Sequence, residues 1–411
     1  MAYTFNKSKE MFARAAKVIP QGIYGHFTPV ILVPGAYPYF VQKAKGSHFW
    51  DIDGNEYIDY MCAYGPMILG YANEKVDEAF MSQARNGTAV TIPSTLLVDL
   101  AERMVEINDC ADWALFGKNG ADATSLALVL ARGYTRRNKI VLAEAGYHGA
   151  QPWSGSNHVG IIPADRNDII MVPWGDLNAF KEVVEENKDQ IAGAMFTPYH
   201  HPVWENQKLP EPGFWTGMRR VCDENDIILI IDDVRSGWRL DLKGAAHYFG
   251  FKPDLACYCK AIANGYPISA LVGTQKMRIV ASKAYATGSY WANSPEMAAA
   301  LACIDEMEKI DVPSILRQRG EALMKGLNEL AAAHGLQVTT SGPPAIPFMK
   351  FANETNFMRS QLFGAECSRH GVFFHPHHNW FISTAHTEED IKKTLDVADK
   401  AFKAVKDKFG D

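Results

Sequence analysis

Short runs of apolar residues alternate with helix-length amphipathic segments through the middle of the chain. The runs predict buried strands, and segments such as 122–136 and 213–225 predict the helices between them. This alternation is typical of a mainly parallel sheet covered by helices. The predicted strands lie at 113–116, 139–142, 191–196, 227–231 and 255–259.

The two ends of the chain follow different patterns. SHFWDIDGNEYIDY alternates apolar and polar residues around the turn at 53–55, which predicts a β-hairpin. After about residue 294, the pattern predicts long helices at 296–309, 313–334 and 388–408 and short strands at 348–351 and 380–383. We therefore predict an α/β protein whose large domain is 61–300, with a smaller α+β domain formed by 1–60 and 301–411.

Composition narrows the class of protein. Of the 411 residues, 47% are hydrophobic and 21% are charged, as in globular chains. The 41 lysine and arginine residues and the 47 aspartate and glutamate residues give a net charge of 41 − 47 = −6. The chain therefore has no net positive charge to attract a nucleic acid. No run reaches the roughly 20 apolar residues of a membrane span, and the first 20 residues lack a signal-peptide core. The seven scattered cysteines predict reduced thiols, a cytoplasmic location and no metal site.

Three segments carry candidate chemistry, and the first is FGKNGADA. It places a turn at 119–122 between a predicted strand and a predicted helix, so backbone N–H groups at the helix start favour an anion such as a phosphate. The alternative is simple capping of the helix by Asn119 or Asp122.

The second segment, IILIIDDVRSGWR, places an acidic pair at the end of a strongly apolar strand. Asp232 or Asp233 should be nearly buried, and a buried carboxylate requires a cation or several donors. A protonated ring nitrogen is one such partner. A structural ion pair with Arg235 or Arg239 is the alternative.

The third segment is KPDLACYCKAIANGYP, in which Lys260 closes an apolar run. Loss of hydration lowers the pKa of a lysine and makes its amine a nucleophile toward aldehydes. A structural lysine that extends to solvent is the alternative. In combination, the three segments match the phosphate, the ring nitrogen and the aldehyde of pyridoxal 5′-phosphate (PLP). Tyr147, with His148 beside it, offers an aromatic face for the ring, and a core tyrosine is the alternative.

These motifs resemble the class III aminotransferases of fold type I, nearest the glutamate-1-semialdehyde aminomutase-like branch. DIDGNEYIDY, FGKNGADA, YHGA, IIDDVRSGWR, KPDLACYCKAIANGYPISALVG, GSYWANSPEMAAAL and STAHTEEDIKKTL match in order over nearly the whole chain. The resemblance implies that Lys260 bonds the cofactor aldehyde, that Asp232 pairs with the pyridine nitrogen and that Tyr147 stacks on the ring. It also implies an obligate homodimer with shared active sites. The remaining implied cofactor contacts are Asn119, Gly120, Ala121 and His148, with Ser289 reaching the phosphate of the neighbouring subunit.

Departures from the family pattern bear on the substrate. The stretch QGIYGHFTPV carries no arginine where the aminomutase-like relatives bind a substrate carboxylate, which weakens the aminomutase interpretation. Arg235 is a candidate for binding an acidic group of the substrate, and a solvated or ion-paired arginine is the alternative. Tyr24, His26 and Trp204 are candidates for the pocket wall, and ordinary core or surface positions are the alternative. The family's Asn-Ser-Gly is Lys118-Asn119-Gly120 in this chain.

We therefore predict a PLP-dependent aminotransferase that passes an amino group from an amino acid or amine donor to a keto acid or aldehyde acceptor by ping-pong kinetics. An aminomutase or an amino acid epimerase on the same scaffold is the alternative. A non-catalytic scaffold protein is the rival from another class, and a buried lysine beside an acidic strand end argues against it.

Overall fold

A seven-stranded sheet forms the centre of one of the two units into which the chain folds. A computed structural model describes residues 3–28, 31–154 and 159–410. The unit with this sheet comprises Glu74–Pro202 and Gln207–Pro313, and the other comprises Met1–Asn73, Val203–Asn206 and Ser314–Asp411.

The strand order of the large sheet is β4-β10-β9-β8-β7-β5-β6. Only β10 runs antiparallel to its neighbours, and the other pairs are parallel. The strands are β4 (Trp113–Gly117), β5 (Lys139–Ala143), β6 (Ile169–Val172), β7 (Ile191–Phe196), β8 (Ile228–Asp232), β9 (Leu255–Tyr258) and β10 (Ser269–Gly273).

Helices alternate with these strands, as the apolar periodicity predicts. Residues of α4 such as Ala127 and Leu130 pack with Ile140, Ile230 and Leu271 of the sheet in one buried cluster. Each fully buried leucine or isoleucine side chain contributes about 1.5–3 kcal/mol to the stability of the fold. The helices of this unit are α2 (Glu74–Ala84), α3 (Leu96–Ile107), α4 (Gly120–Thr135), α5 (Leu177–Glu186), α6 (Phe214–Glu224), α7 (Ala245–Tyr248), α8 (Arg278–Lys283) and α9 (Ser294–Lys309).

The other unit combines both chain ends around two small sheets. One has the order β1-β2-β3-β13, in which the predicted hairpin forms β2 and β3, and the other pairs β11 with β12. Its strands are β1 (Val41–Lys45), β2 (His48–Asp51), β3 (Glu56–Asp59), β11 (Val338–Ser341), β12 (Phe348–Phe351) and β13 (Val372–Phe373). Its helices are α1 (Asn6–Ala15), α10 (Val312–Ala333), α11 (Met358–Arg369) and α12 (Glu388–Phe409).

The predicted α/β fold class is confirmed by the mostly parallel sheet between helices. The predicted strand at 380–383 is wrong, because neighbouring amides there bond to separate segments. The amide of Trp380 donates to the carbonyl of Pro347 and that of Phe381 to the carbonyl of Tyr60, both at 2.7 Å, and neither acceptor lies in a strand. In the described part of the chain, none of the helices has the length and apolarity to cross a membrane.

Candidate active site

The candidate residues lie at one edge of the large sheet. β8 ends on Asp232, β9 is followed by Cys259 and Lys260, and β4 is followed by Lys118. These three strands run in the same direction, because β8 is parallel to β9 while β4 and β9 are both antiparallel to β10. Asp232 pairs in register with Cys257, so the acidic strand end and the lysine share the carboxyl edge where α/β sheets bind ligands.

Lys260 combines backbone strain with a perturbed amine. Its φ of 45° is rare for a residue with a side chain, and it begins the short 3₁₀ turn Lys260–Ala263. Loss of hydration lowers the pKa of the amine to about 7, and the positive charge of Arg235 acts in the same direction. A large share of the amine is therefore neutral and nucleophilic near pH 7.

Asp232 is buried and held by two donors. One carboxylate oxygen, Oδ2, lies 2.7 Å from Nδ1 of His148, and the other, Oδ1, accepts the amide of Val234 at 3.1 Å. The 2.7 Å distance is that of a hydrogen bond between the imidazole and the carboxylate. Thr124 fixes the same histidine by donating its hydroxyl to the carbonyl of His148 at 2.7 Å. His148 therefore orients the Asp232 carboxylate.

Asp233 has a different role from its neighbour. Its two oxygens accept the hydroxyl of Ser236 at 2.5 Å and the amide of Ala245 at 2.8 Å. Burial raises the pKa of this carboxyl to about 7. Both oxygens of Asp233 therefore serve the turn after β8, and Asp232 stays the member of the pair that the family resemblance assigns to the cofactor.

The turn before α4 has the backbone required at an anion site. Asp122 caps the helix, since its Oδ2 accepts the amides of Lys118 and Asn119, each at 2.8 Å. Both capping and anion binding thus remain compatible with this helix start. A Cβ on Gly120 would lie 3.0 Å from the Val234 side chain, so a glycine at this position allows α4 to begin close to the end of β8.

Tyr147 and Arg235 contrast in exposure. Tyr147 is 51% exposed, which leaves its ring accessible, whereas Arg235 is buried and its pKa is lowered by that burial.

Two further buried residues that were not predicted from the sequence follow β7. They are Tyr199 and His201, whose rings lie 5.2 Å apart, and burial lowers the pKa of His201 well below its usual value. The run TPYHHP, directly after a fully buried strand, was the available signal.

The other predicted substrate residues belong to the unit formed by the chain ends. Tyr24 is 71% exposed. The ring of His26 lies 4.4 Å from that of Tyr64, and Trp204 stacks on His377 at 3.9 Å. Within its own unit, each is an aromatic side chain that can form part of a pocket wall.

Ser289 lies exposed between two exposed aromatic residues. Tyr285 and Tyr290 are 93% and 62% exposed. The predicted contact of Ser289 with a neighbouring subunit stays a prediction.

The donor set fits PLP. The Lys260 amine suits an aldehyde, the buried Asp232 carboxylate suits a protonated pyridine nitrogen, and the start of the 16-residue helix α4 suits a phosphate. His148 supports this fit, because its Nε2 is buried and has no hydrogen-bond partner among the described residues.

Comparisons with known proteins place the chain in a family. The model of the family "Aminotransferase class-III" matches residues 33–397. The aminopentol aminotransferase of Sphingopyxis macrogoltabida is 40% identical over 97% of this chain and 94% of its own length. The 3-aminobutyryl-CoA aminotransferase of Cloacimonas acidaminovorans is 34% identical over 97% of both chains.

A solved structure is also similar to this chain. The PLP internal aldimine form of the FumI protein from Sphingopyxis sp. MTA144 is 40% identical, with a TM-score of 0.95 over 98% of this chain and 97% of that one. The match to the family model spans most of the sequence, and the predicted family is confirmed. The chain belongs to the class-III aminotransferases.

Proposed function

We propose that this protein is a PLP-dependent aminotransferase that moves an amino group from an amine or amino acid donor to a keto acid or aldehyde acceptor. The observation that carries the proposal is the amine of Lys260, with its pKa of about 7, at the same sheet edge as the buried Asp232. The predicted enzyme class, aminotransferase activity and cofactor are confirmed by the family and its members. They fit an aminotransferase better than an aminomutase or an epimerase.

Each residue of the sheet edge has its own role in the proposed reaction. When bound, PLP supplies the electron sink that stabilises negative charge on the substrate carbon. Lys260 would hold the cofactor aldehyde, and its amine is the group that would take a proton from the substrate carbon and return it. Asp232, oriented by His148, would keep the ring nitrogen protonated, and Tyr147 would cover the ring face. Asn119, Gly120 and Ala121, at the start of α4, would bind the phosphate.

Arg235 is our candidate for the carboxylate of a keto acid acceptor. Its guanidinium is buried, and its charge acts on the Lys260 amine, so a cation lies close to the reacting centre. An Arg235→Ala variant should raise the KM for keto acids and leave the KM for an uncharged amine donor unchanged. An unchanged KM for every carboxylate substrate would remove this assignment.

We infer that the preferred donor is an amine whose carbon carries no carboxylate. The stretch at 21–28 contains no arginine, and one relative at 40% identity is named for an aminopentol. Tyr24, His26 and Trp204 stay predictions for the pocket wall.

A half-reaction screen tests the reaction and the donor together. Purified holoenzyme is mixed with one donor at a time, without acceptor, while the absorbance of the bound cofactor is followed. Primary amines and 2-amino alcohols should convert the cofactor to its amine form faster than α-amino acids do. If the spectrum persists with every donor while a racemic or rearranged product accumulates, the enzyme is an epimerase or an aminomutase.

We further propose a homodimer with active sites at the subunit interface. Large exposed apolar side chains of the unit with the seven-stranded sheet support it, because monomers rarely leave many such groups in water. They are Val90, Ile92, Tyr285 and Tyr290, and the last two flank Ser289. Light scattering should give a mass near 2 × 45.6 kDa. A fully active species of 45.6 kDa would contradict this proposal.

A cytoplasmic location is also proposed. All seven cysteines are free thiols and six of them are buried, as suits a reducing compartment. Cell fractionation should recover the enzyme with cytoplasmic markers, and its recovery from the medium or an extracytoplasmic fraction would contradict the proposal.

A further inference from the structure

A largely buried ion pair joins the turn before α4 to the first turn of α9. Nζ of Lys118 lies 2.9 Å from Oε1 of Glu296, and the two side chains are 14% and 9% exposed. Glu296 lies in the first turn of its helix, where the helix dipole favours a carboxylate. The pair therefore holds the Lys118 ammonium at the start of α9.

Both members of the pair keep unused hydrogen-bonding capacity. Nζ of Lys118 is buried, and although its charge is paired, it makes no hydrogen bond of acceptable geometry with any described residue. Oε2 of Glu296 is also buried and has no hydrogen-bond partner in the described part of the chain. An ammonium has three donors, and leaving buried donors unused costs free energy. These donors remain available to a further acceptor.

The backbone of Lys118 lies at the sheet edge that carries the candidate cofactor residues. Its carbonyl accepts the thiol of Cys259 at 3.9 Å, and Cys259 directly precedes Lys260. Two residues after Lys118, Gly120 begins α4. The capping carboxylate of Asp122 opposes a second anion at this helix start, so an anion that binds there requires a compensating cation.

We propose that Lys118 is a phosphate-binding residue of the cofactor site and that Glu296 is the positioning residue that holds its side chain there. The missing acceptor is then a phosphate oxygen of the cofactor, which accepts a charge-assisted hydrogen bond from the ammonium. This inference rests on the proposed PLP-dependent function. A purely structural pair, which only ties α9 to the turn, is the competing explanation.

Two variants separate these explanations. Lys118→Met alone leaves the Glu296 carboxylate buried and unpaired, which by itself destabilises a fold. The double variant Lys118→Met/Glu296→Met removes both charges with side chains of similar volume and is expected to fold as stably as the wild type. The dissociation constants of each apoenzyme for PLP and for pyridoxal, which lacks the phosphate, are measured by titration of absorbance.

The ratio of the two affinities decides the matter. Both variants should bind PLP about tenfold more weakly or worse, the effect of one lost charge-assisted hydrogen bond, while their affinity for pyridoxal matches that of the wild type. Wild-type affinity of the double variant for PLP would overturn the proposal and leave a structural pair. Equal weakening toward both ligands would also overturn it, because the effect would then not depend on the phosphate. A wild-type apoenzyme that binds neither ligand would instead overturn the proposed function, and this inference with it.

Discussion

The amine of Lys260 should titrate near neutral pH in the apoenzyme. With a pKa of about 7, about three quarters of the amine is neutral at pH 7.5. An ordinary lysine, with a pKa of about 10.4, is only about 0.1% neutral at that pH. The neutral fraction of Lys260 is therefore expected to exceed that of an ordinary lysine by roughly 600-fold.

Two substitutions test the physical cause through opposite signs. Arg235→Met removes a positive charge and should raise the pKa of Lys260, because that charge disfavours the ammonium. Asp232→Asn removes a negative charge and should lower the same pKa. Loss of hydration is the largest cause, so the amine of both variants should still titrate below the ordinary value.

Competitive labelling provides the measurement. Apoenzyme is treated with a trace of an acylating reagent at a series of pH values, with N-acetyl-lysine amide as the internal standard, and the peptide that contains Lys260 is quantified by mass spectrometry. The midpoint of labelling gives the pKa directly. A midpoint near 10 in the wild type would refute the desolvated amine, and a shift in the same direction for both variants would refute the electrostatic account.

Three further predictions concern stability. Gly320→Ala would place a methyl group 1.8 Å from the backbone carbonyl oxygen of Pro344, so it should cost about 3 kcal/mol or more in urea unfolding; an unchanged midpoint would contradict the contact. The pKa of His48 is raised by its hydrogen bond to Asp390, so its stabilisation is present below pH ~6.5 and is lost as pH rises through the folded value. His48→Gln should therefore lower the free energy of unfolding more at pH 5.5 than at pH 8.5, and equal losses would argue against the pair. Ile230→Ala, at a position that is 0% exposed, should cost about 2–5 kcal/mol by the same assay, and a loss below that range would mean that the core collapses around the gap.

The sequence predicts five of the seven strands of the large sheet, because short strands buried in a sheet form apolar runs. The strands β6 and β10 are the two that it does not predict. The run 191–196 is apolar throughout, and it forms β7 with every residue buried. The segment 380–383 shows where the same logic fails. Trp380, Phe381 and Ile382 are apolar and buried, but a strand also requires one continuous partner, and local composition carries no information about partners.

The residues of the candidate site also differ in how far the sequence alone predicts them. Lys260 and Asp232 can be recognised in the sequence because a charged residue at the end of a buried strand is uncommon unless it has a partner or a function. Asp232 and Asp233 are adjacent at the end of a buried strand, and the family resemblance selects Asp232 for the cofactor. The structure adds the partners of each carboxylate, which are Ser236 and Ala245 for Asp233 and His148 and Val234 for Asp232.

The ion pair between Lys118 and Glu296 is a contact that local sequence patterns do not predict. The two residues are 296 − 118 = 178 positions apart, and each alone resembles an ordinary charge near a helix end. Only the fold shows that both are withdrawn from water and that neither satisfies the other completely. Glu296 supplies one anionic partner for the Lys118 ammonium, and the remaining donors of the ammonium suit a further acceptor, which in our proposal is the cofactor phosphate. On that proposal, the departure from the family's Asn-Ser-Gly at Lys118 is a gain of phosphate binding.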